Sequence, residues 1–240
     1  AVYQMADAVV GTSDEYRERG LRDARAGIPS ETVYVGNQLC EFDAGVTAHA
    51  LQIDKPAGDI WVSYAGTLSA CYDLETLVKA MALVQKTHPE AKLQILGDGS
   101  ERDNLKAAAH SSGAEVVFHG YLPYSQMAAW LSKSDITINS LVEKAAQSIV
   151  TKIGDYLAAG KPMVNTSCSK EFRAKVEADG FGVNVKPGDA EGMAEVLVDL
   201  IEDPQRRSRM GERARAIAEE QFDRPHSYLK TVRLIEELIG

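Results

Sequence analysis

The sequence predicts an α/β fold, a doubly wound parallel sheet of the Rossmann-like kind. Three observations carry that prediction. Short apolar, β-rich runs alternate with amphipathic helical runs over most of the chain. The stretches between successive strands are long enough to hold a helix, so crossovers join the strands and the sheet is parallel. The strands are apolar on both faces, as a sheet covered by helices needs.

The elements follow in order. Residues 8–10 read as a strand, 14–25 as a polar helix and 32–35 as a strand. Residues 36–59 show no periodicity and are expected to be a linker or domain edge, because so long a structureless loop does not suit a domain interior. The main unit starts at the buried strand 60–64 (IWVSY). Helix 73–86 follows, with Leu74, Leu77, Val78, Met81 and Val84 on one stripe and Asp73 as its expected N-cap. Strands are expected at 93–96, 116–118, 136–138, 162–165 and 182–185. Helices are expected between them at 101–110, 124–132, 149–159 and 170–179. The helix at 149–159 stops at Gly160, with Pro162 just beyond. Three helices close the chain, at 190–202, 204–221 and 225–239.

Composition excludes several classes. The 240 residues carry a net charge of -9, which argues against general nucleic-acid binding. A local basic pocket for phosphate is still allowed. No run of eighteen apolar residues exists, so no transmembrane helix is expected. The first twenty residues lack the basic and apolar regions of a plain signal peptide. Cys40, Cys71 and Cys168 are scattered and form no CxxC pair, so neither a disulfide framework nor a zinc site is expected, as in a reducing cytoplasm. The five histidines have no metal-ligand spacing, and no GxSxG element supports a hydrolase triad.

Parallel sheets of this kind bind ligands beyond the carboxyl ends of their strands. Four loops sit there. In the first, AGTLSACY (65–72), Gly66 lets a ligand approach the backbone, and the following helix offers free amides to an anion. A tight βα turn explains the same residues. The second, GDGS at 97–100, is neither a dinucleotide fingerprint nor a P-loop, and taken alone its Gly97 reads as a turn glycine. The third, HGYLP at 119–123, presents Gly120, Tyr121 and Leu122 in an extended segment suited to a base edge, or forms a proline-fixed turn. In the fourth, 139–153, Ser148 is placed to cap the next helix. Lys152 lies in the first turn of that helix, where a cation is unfavourable unless an anion is present, although a solvated lysine also fits. Asp155 is one turn on, able to accept hydroxyl hydrogen bonds or simply to stabilise the helix dipole.

Taken together these loops resemble the nucleotide-sugar-binding half of GT-B glycosyltransferases, closest to the group 1 retaining family of capsule and lipopolysaccharide synthesis. The resembling segments are WVSYAGTLSACYDLETLVKAM, LQILGDGSERDNL, VVFHGYLPYSQMAAWLSKSDITIN and VTKIGDYLAAGKPMVNT. MADAVVGTSDEYRERG resembles the last strand and helix of the family's first domain, and TVYVGNQLCEF the entry to the second. The resemblance implies a remnant of the N-terminal acceptor domain at 1–36, a linker at 37–59, a donor domain at 60–222 and a crossing helix at 223–240. The chain would be the C-terminal half of a GT-B fold.

That resemblance carries roles onto particular residues. Gly66-Thr67 matches the glycine loop beside the donor diphosphate. The family often has Arg and Lys where Thr67 and Tyr72 stand, and a glutamate where Gln147 stands. Gly120, Tyr121 and Leu122 match the base-contacting loop. Asp155 matches a carboxylate that binds ribose hydroxyls. Lys152 matches the subgroup with a lysine in the first helical turn, and would replace part of the absent positive charge, with Ser148 adding a donor. The implied donor is a UDP- or GDP-sugar, the acceptor a glycan or lipid-linked glycan, with no metal or other cofactor. The implied location is cytoplasmic, at the inner membrane face for a lipid-linked acceptor. No catalytic residue is assigned. Two other readings stay open: a non-catalytic module of the same fold, favoured by Thr67, Tyr72 and Gln147, and a GT-B sugar epimerase.

Overall fold

The computed structural model describes residues 2–145 and 149–240. Two short parallel strands, β1 (Val9–Gly11) and β2 (Ser30–Thr32), flank helix α1 (Asp14–Asp23). Ser13 caps α1 by accepting from the amide of Tyr16. Helix α2 (Leu39–His49) comes next. Then strands and helices alternate: β3 (Ile60–Ala65), α3 (Leu74–Val84), β4 (Ala91–Leu96), α4 (Arg102–Ser112), β5 (Val116–Gly120), α5 (Tyr124–Lys133) and β6 (Ile136–Asn139). The second half holds α6 (Ile153–Ala158), β7 (Met163–Asn165), α7 (Lys170–Asp179), β8 (Gly182–Asn184), α8 (Ala190–Glu202) and α9 (Pro204–Ile217). A wide helical turn (Ala218–Phe222) leads to α10 (Arg224–Ser227) and α11 (Leu229–Ile239).

Strands β3 to β8 form one six-stranded sheet in the order β5-β4-β3-β6-β7-β8, every pair parallel. The expected doubly wound sheet is present. Its order reverses between β3 and β6, and that switch point leaves a crevice where helices leave opposite faces. Alternate residues of each strand feed two cores. Val62, Tyr64, Leu93 and Ile95 pack with Leu77, Met81 and Leu197 of α3 and α8 on one face. Ala65 and Leu96 pack with Phe42, Leu131, Tyr156, Phe172 and Ile217 on the other. The apolar-on-both-faces pattern has this cause.

The structure departs from the sequence reading in four places. Residues 37–59 are not a structureless linker, because α2 lies within them. Its buried stripe is only Leu39, Phe42 and Gly45. A Cβ at Gly45 would meet the Ser125 Cα at 2.7 Å, so α2 lies tightly against α5. A glycine contact of that kind leaves no hydrophobic periodicity to read. Asp73 precedes α3 but makes no side-chain cap; its Oδ2 accepts instead from the Gly188 amide at 2.9 Å, tying the β8–α8 loop to α3. The expected helix 149–159 is regular only from Ile153, and the helix expected at 225–239 is broken at Tyr228. Gln147 and Ser148, including the expected Ser148 cap, lie outside the described residues.

Candidate functional site

The site begins with glycine. The loops after β3 and β4 are zipped together: the Gly66 amide donates to the Leu96 carbonyl at 2.9 Å, the Leu68 amide to the Asp98 carbonyl at 2.9 Å, and the Glu101 amide to the Leu68 carbonyl at 3.1 Å. Gly97 has φ +150°, and a Cβ there would lie 1.9 Å from the Gly66 carbonyl oxygen. No side chain fits, so glycine is the only residue that permits this approach. Gly120 ends β5 and bridges to Gly97. These loops and the start of α5 enclose a cleft of about 310 Å3, lined by Gly66, Thr67, Gly97, Asp98, Tyr121, Leu122, Tyr124 and Met127. Tyr121 stands 80% exposed at its mouth, with a free ring face.

Charge arrives from the other side of the switch point, at α6. The Lys152 ammonium donates to the Tyr64 hydroxyl at 2.8 Å. It lies 4.1 Å from the centroid of the Tyr64 ring and 3.6 Å from that of Tyr72. Two aromatic faces stabilise a cation there. Tyr64 in turn donates to the Thr67 carbonyl at 2.8 Å, so the lysine and the glycine loop are linked through one hydroxyl. A Cβ on Gly66 would sit 2.9 Å from Lys152 Nζ, which shows how closely the ammonium approaches the loop. Among the described residues no carboxylate pairs with it. Burial pushes its pKa down to about 7. Burial also raises the Tyr64 and Tyr72 phenols, which stay neutral.

Asp155, one turn along α6, is joined to the cleft by Tyr124. Its Oδ1 accepts from the Tyr124 hydroxyl at 2.8 Å and from the Asn37 amide nitrogen at 2.9 Å. Burial pushes the carboxyl above its ordinary range, and the bonds from Asn37 and Tyr124 and the charge of Arg224 oppose that shift. Asn37 is held by its own backbone, which donates to Phe222 and accepts from Arg224, both at 2.9 Å. Its side chain is buried, and Oδ1 has no hydrogen-bond partner among the described residues. A buried acceptor without a donor is costly.

Of the residues expected from the sequence, Gly66, Thr67, Gly97, Tyr121 and Leu122 share the cleft wall. Gly120 sits behind them, and Lys152 and Tyr72 meet beside Gly66. Tyr72 faces the lysine and is not part of the cleft wall. Asp155 is reached through Tyr124. Gln147 and Ser148 lie outside the described residues. Sequence reasoning missed Tyr64, Asn37 and Tyr124. Tyr64 was legible only as a core strand residue. Asn37 lies some 118 positions from Asp155, so no local spacing reveals the pair. Tyr124 directly follows the HGYLP loop and was countable as a candidate by position. Among the described residues no three His, Cys, Asp or Glu side chains gather as a metal site. No helix among them is long and apolar enough to cross a membrane.

A sheet of this order with polar groups at its switch point is of the doubly wound α/β class, in which ligands sit beyond the carboxyl ends of the strands. Comparison with known proteins narrows the class. The family model for glycosyl transferases group 1 matches residues 48–217, and the chain belongs to that family. It is 28% identical over 182 residues to the lipopolysaccharide core biosynthesis glycosyltransferase LpsE of Rhizobium meliloti, covering 75% of this chain and 50% of that protein. It is 28% identical over 152 residues to a GDP-mannose-dependent phosphatidylinositol monomannoside mannosyltransferase of Corynebacterium glutamicum, covering 62% of this chain and 39% of that protein. The chain therefore spans half or less of the length of these two curated relatives. Among solved structures, Anabaena HepE in complex with UDP superposes with a TM-score of 0.81 at 19% identity, over 98% of this chain and 65% of that one. The sucrose-phosphate synthase of Thermosynechococcus elongatus gives 0.76 at 22% identity, over 99% and 60%. The architecture is that of GT-B glycosyltransferases.

Proposed function

We propose that this chain is the donor-binding, C-terminal half of a GT-B glycosyltransferase. In the whole protein it holds a UDP- or GDP-sugar for retaining hexosyl transfer to a glycan or lipid-linked acceptor. The observation that carries the reading is Lys152: a half-buried ammonium beside the glycine loop, with no carboxylate among the described residues to neutralise it. A diphosphate seated against Gly66 would be its counter-ion. The family position that often carries lysine is Tyr72 here, and the Lys152 ammonium lies over the Tyr72 ring. The cation is thus supplied from α6 in place of the loop. Stabilising a diphosphate leaving group with fixed cations and backbone amides needs no metal.

The rest of the cleft fits the same ligand. Asp155 offers an acceptor for ribose or sugar hydroxyls. Tyr121 offers a ring for a base. A UDP complex is known for HepE, and the corynebacterial relative uses GDP-mannose. Helix α11 supports the half-protein reading, since Val232, Ile235 and Ile239 lie exposed on it as a face awaiting a packing partner. On this reading these residues bind donor and are inactive alone, because acceptor binding falls to the other half of a GT-B fold. Its full-length form would work in the cytoplasm, at the inner membrane face when the acceptor is lipid-linked.

Calorimetry with UDP and with GDP tests the proposal. Saturable binding of one of them by the folded chain is expected, weakened by Lys152→Ala. Binding of neither would overturn it.

A further inference from the structure

We infer that Asn37 is a positioning residue of the donor site: it holds one oxygen of the Asp155 carboxylate and so leaves the other, Oδ2, as the acceptor offered to a ligand hydroxyl. The ligand is the nucleotide sugar of the donor reading, on which this role rests.

The two oxygens of Asp155 are engaged unequally. Oδ1 takes both hydrogen bonds, from Asn37 Nδ2 at 2.9 Å and from the Tyr124 hydroxyl at 2.8 Å. Oδ2 has no partner among the described residues, yet it is not one of their sealed polar atoms and stays open to solvent. A carboxylate held by one oxygen presents the other in a fixed direction.

Asn37 is the rigid member of the pair that holds it. Tyr124 is 38% exposed at the cleft edge, whereas Asn37 is 5% exposed. The Asn37 backbone is clamped on both sides, between the Phe222 carbonyl and the Arg224 amide. Gly154, the neighbour of Asp155 on α6, closes against the same segment. A Cβ on Gly154 would meet the Gly36 carbonyl carbon at 3.1 Å and the Asn37 nitrogen at 3.2 Å. Packing therefore sets the distance from Asn37 to α6, and its amide falls on Asp155.

The orientation of that amide is fixed as well. Nδ2 has two hydrogens, one for Asp155 and one for the Tyr124 hydroxyl at 3.4 Å. Turned over, the amide would set its own oxygen against a carboxylate. In the orientation adopted, Asn37 Oδ1 is buried with no partner. An apolar side chain would avoid that cost, so packing does not explain an amide here, while its two donors do.

Tyr124 of α5 and Arg224 of α10 face Asp155, with Tyr156 on α6 itself, and Glu41 of α2 acts on Tyr124. Burial raises the carboxyl, and the Asn37 bond is the first of the influences that oppose it. Without Asn37 the carboxyl should take up a proton at higher pH and cease to accept from a hydroxyl there.

Asn37→Leu removes the donors at similar volume and tests the role by two measurements. Carboxyl-carbon NMR of the free chain follows the titration of Asp155, whose midpoint is expected to move up. Calorimetry with UDP and GDP at pH 7 and pH 5 follows binding. Affinity is expected to be about five- to tenfold weaker at pH 7, part of the worth of a charged hydrogen bond. It should fall further between pH 7 and pH 5 than in the unaltered chain. Protonation of the nucleotide itself is common to both proteins and cancels in that ratio. Asn37→Ala gives the same two readouts if the leucine variant fails to fold. An unmoved Asp155 midpoint, or a loss of affinity equal at both pH values, would overturn the inference, since a purely structural role weakens binding evenly. Binding of neither nucleotide by the unaltered chain would sink the donor reading, while the titration would still decide whether Asn37 sets Asp155.

Discussion

The two sides of the cleft are built from different materials. The side that follows β3, β4 and β5 is organised by backbone: Gly66, Gly97 and Gly120, with amides locked between neighbouring loops, carry the side chains of the cleft wall. The side that follows β6, at α6, is almost all side chain: Lys152 between two tyrosine rings, and Asp155 under Asn37 and Tyr124. One side sets shape and carries little charge; the other sets charge and defines little of the cleft wall. The Lys152–Tyr64–Thr67 chain of hydrogen bonds joins them. At Gly97 the close-packed backbone tolerates no added atom, whereas charge made by side chains can be tuned one group at a time.

The largest effect is therefore expected from the backbone side. Gly97→Ala places a methyl 1.9 Å from the Gly66 carbonyl, at a φ that side chains rarely adopt. Both strain and overlap act, for a cost of about 3 kcal/mol or more. In a chain of this size that lowers the melting temperature by about 6–12 °C. Nucleotide binding should be lost with it. An alanine variant with unchanged melting and binding would show that the loop has room to give.

The charged side predicts a smaller change in stability and a clear one in binding. Lys152→Met should weaken diphosphate binding about 10- to 100-fold, the worth of one charged hydrogen bond. Calorimetry measures it, and an unchanged affinity would remove the lysine from the site. The pH dependence has a definite sign. Burial depresses the pKa of Lys152 to about 7, so between pH 7 and the ordinary lysine value the unfolded chain binds more protons than the folded one. Stability of the free chain should rise with pH across that window relative to Lys152→Met. Nucleotide binding should move the other way, weakening above pH 7 as the ammonium is lost. Urea unfolding and titrations at pH 6 and pH 9 separate the two trends.

The same division explains what the sequence could tell. The sheet was legible because its strands are apolar on both faces and its helices carry clear stripes, so periodicity located β3 to β8 to within a few residues. Glycine loops at the ends of strands were legible as places for a ligand, since glycine between strand and helix is visible locally. Lys152 stood out because a cation in the first turn of a helix opposes the dipole. The tyrosine rings that hold it did not, because Tyr64 reads as core, as it also is. Asn37 was hidden by distance: the segment that carries it is set beside Asp155 by backbone pairing with Phe222 and Arg224 and by its close approach to Gly154 of α6. α2 was hidden by Gly45, whose value lies in close approach to α5 and contributes nothing to a hydrophobic pattern.

The smallest effect sharpens the comparison from the opposite direction. If the β3 loop supplies shape but no charge, adding a cation there should help binding without disturbing the fold. Thr67 is exposed on the cleft wall. Thr67→Arg adds a flexible, partly hydrated guanidinium, which is worth less than the desolvated Lys152 ammonium. A gain of about three- to tenfold in UDP or GDP affinity is expected, with the melting temperature of the free chain unchanged. The gain should persist in Lys152→Met, since the two cations would approach the diphosphate from opposite sides of the switch point. An arginine that strengthens binding only when Lys152 is present would mean that the lysine orders the loop through Tyr64, and that charge and shape are not separate contributions.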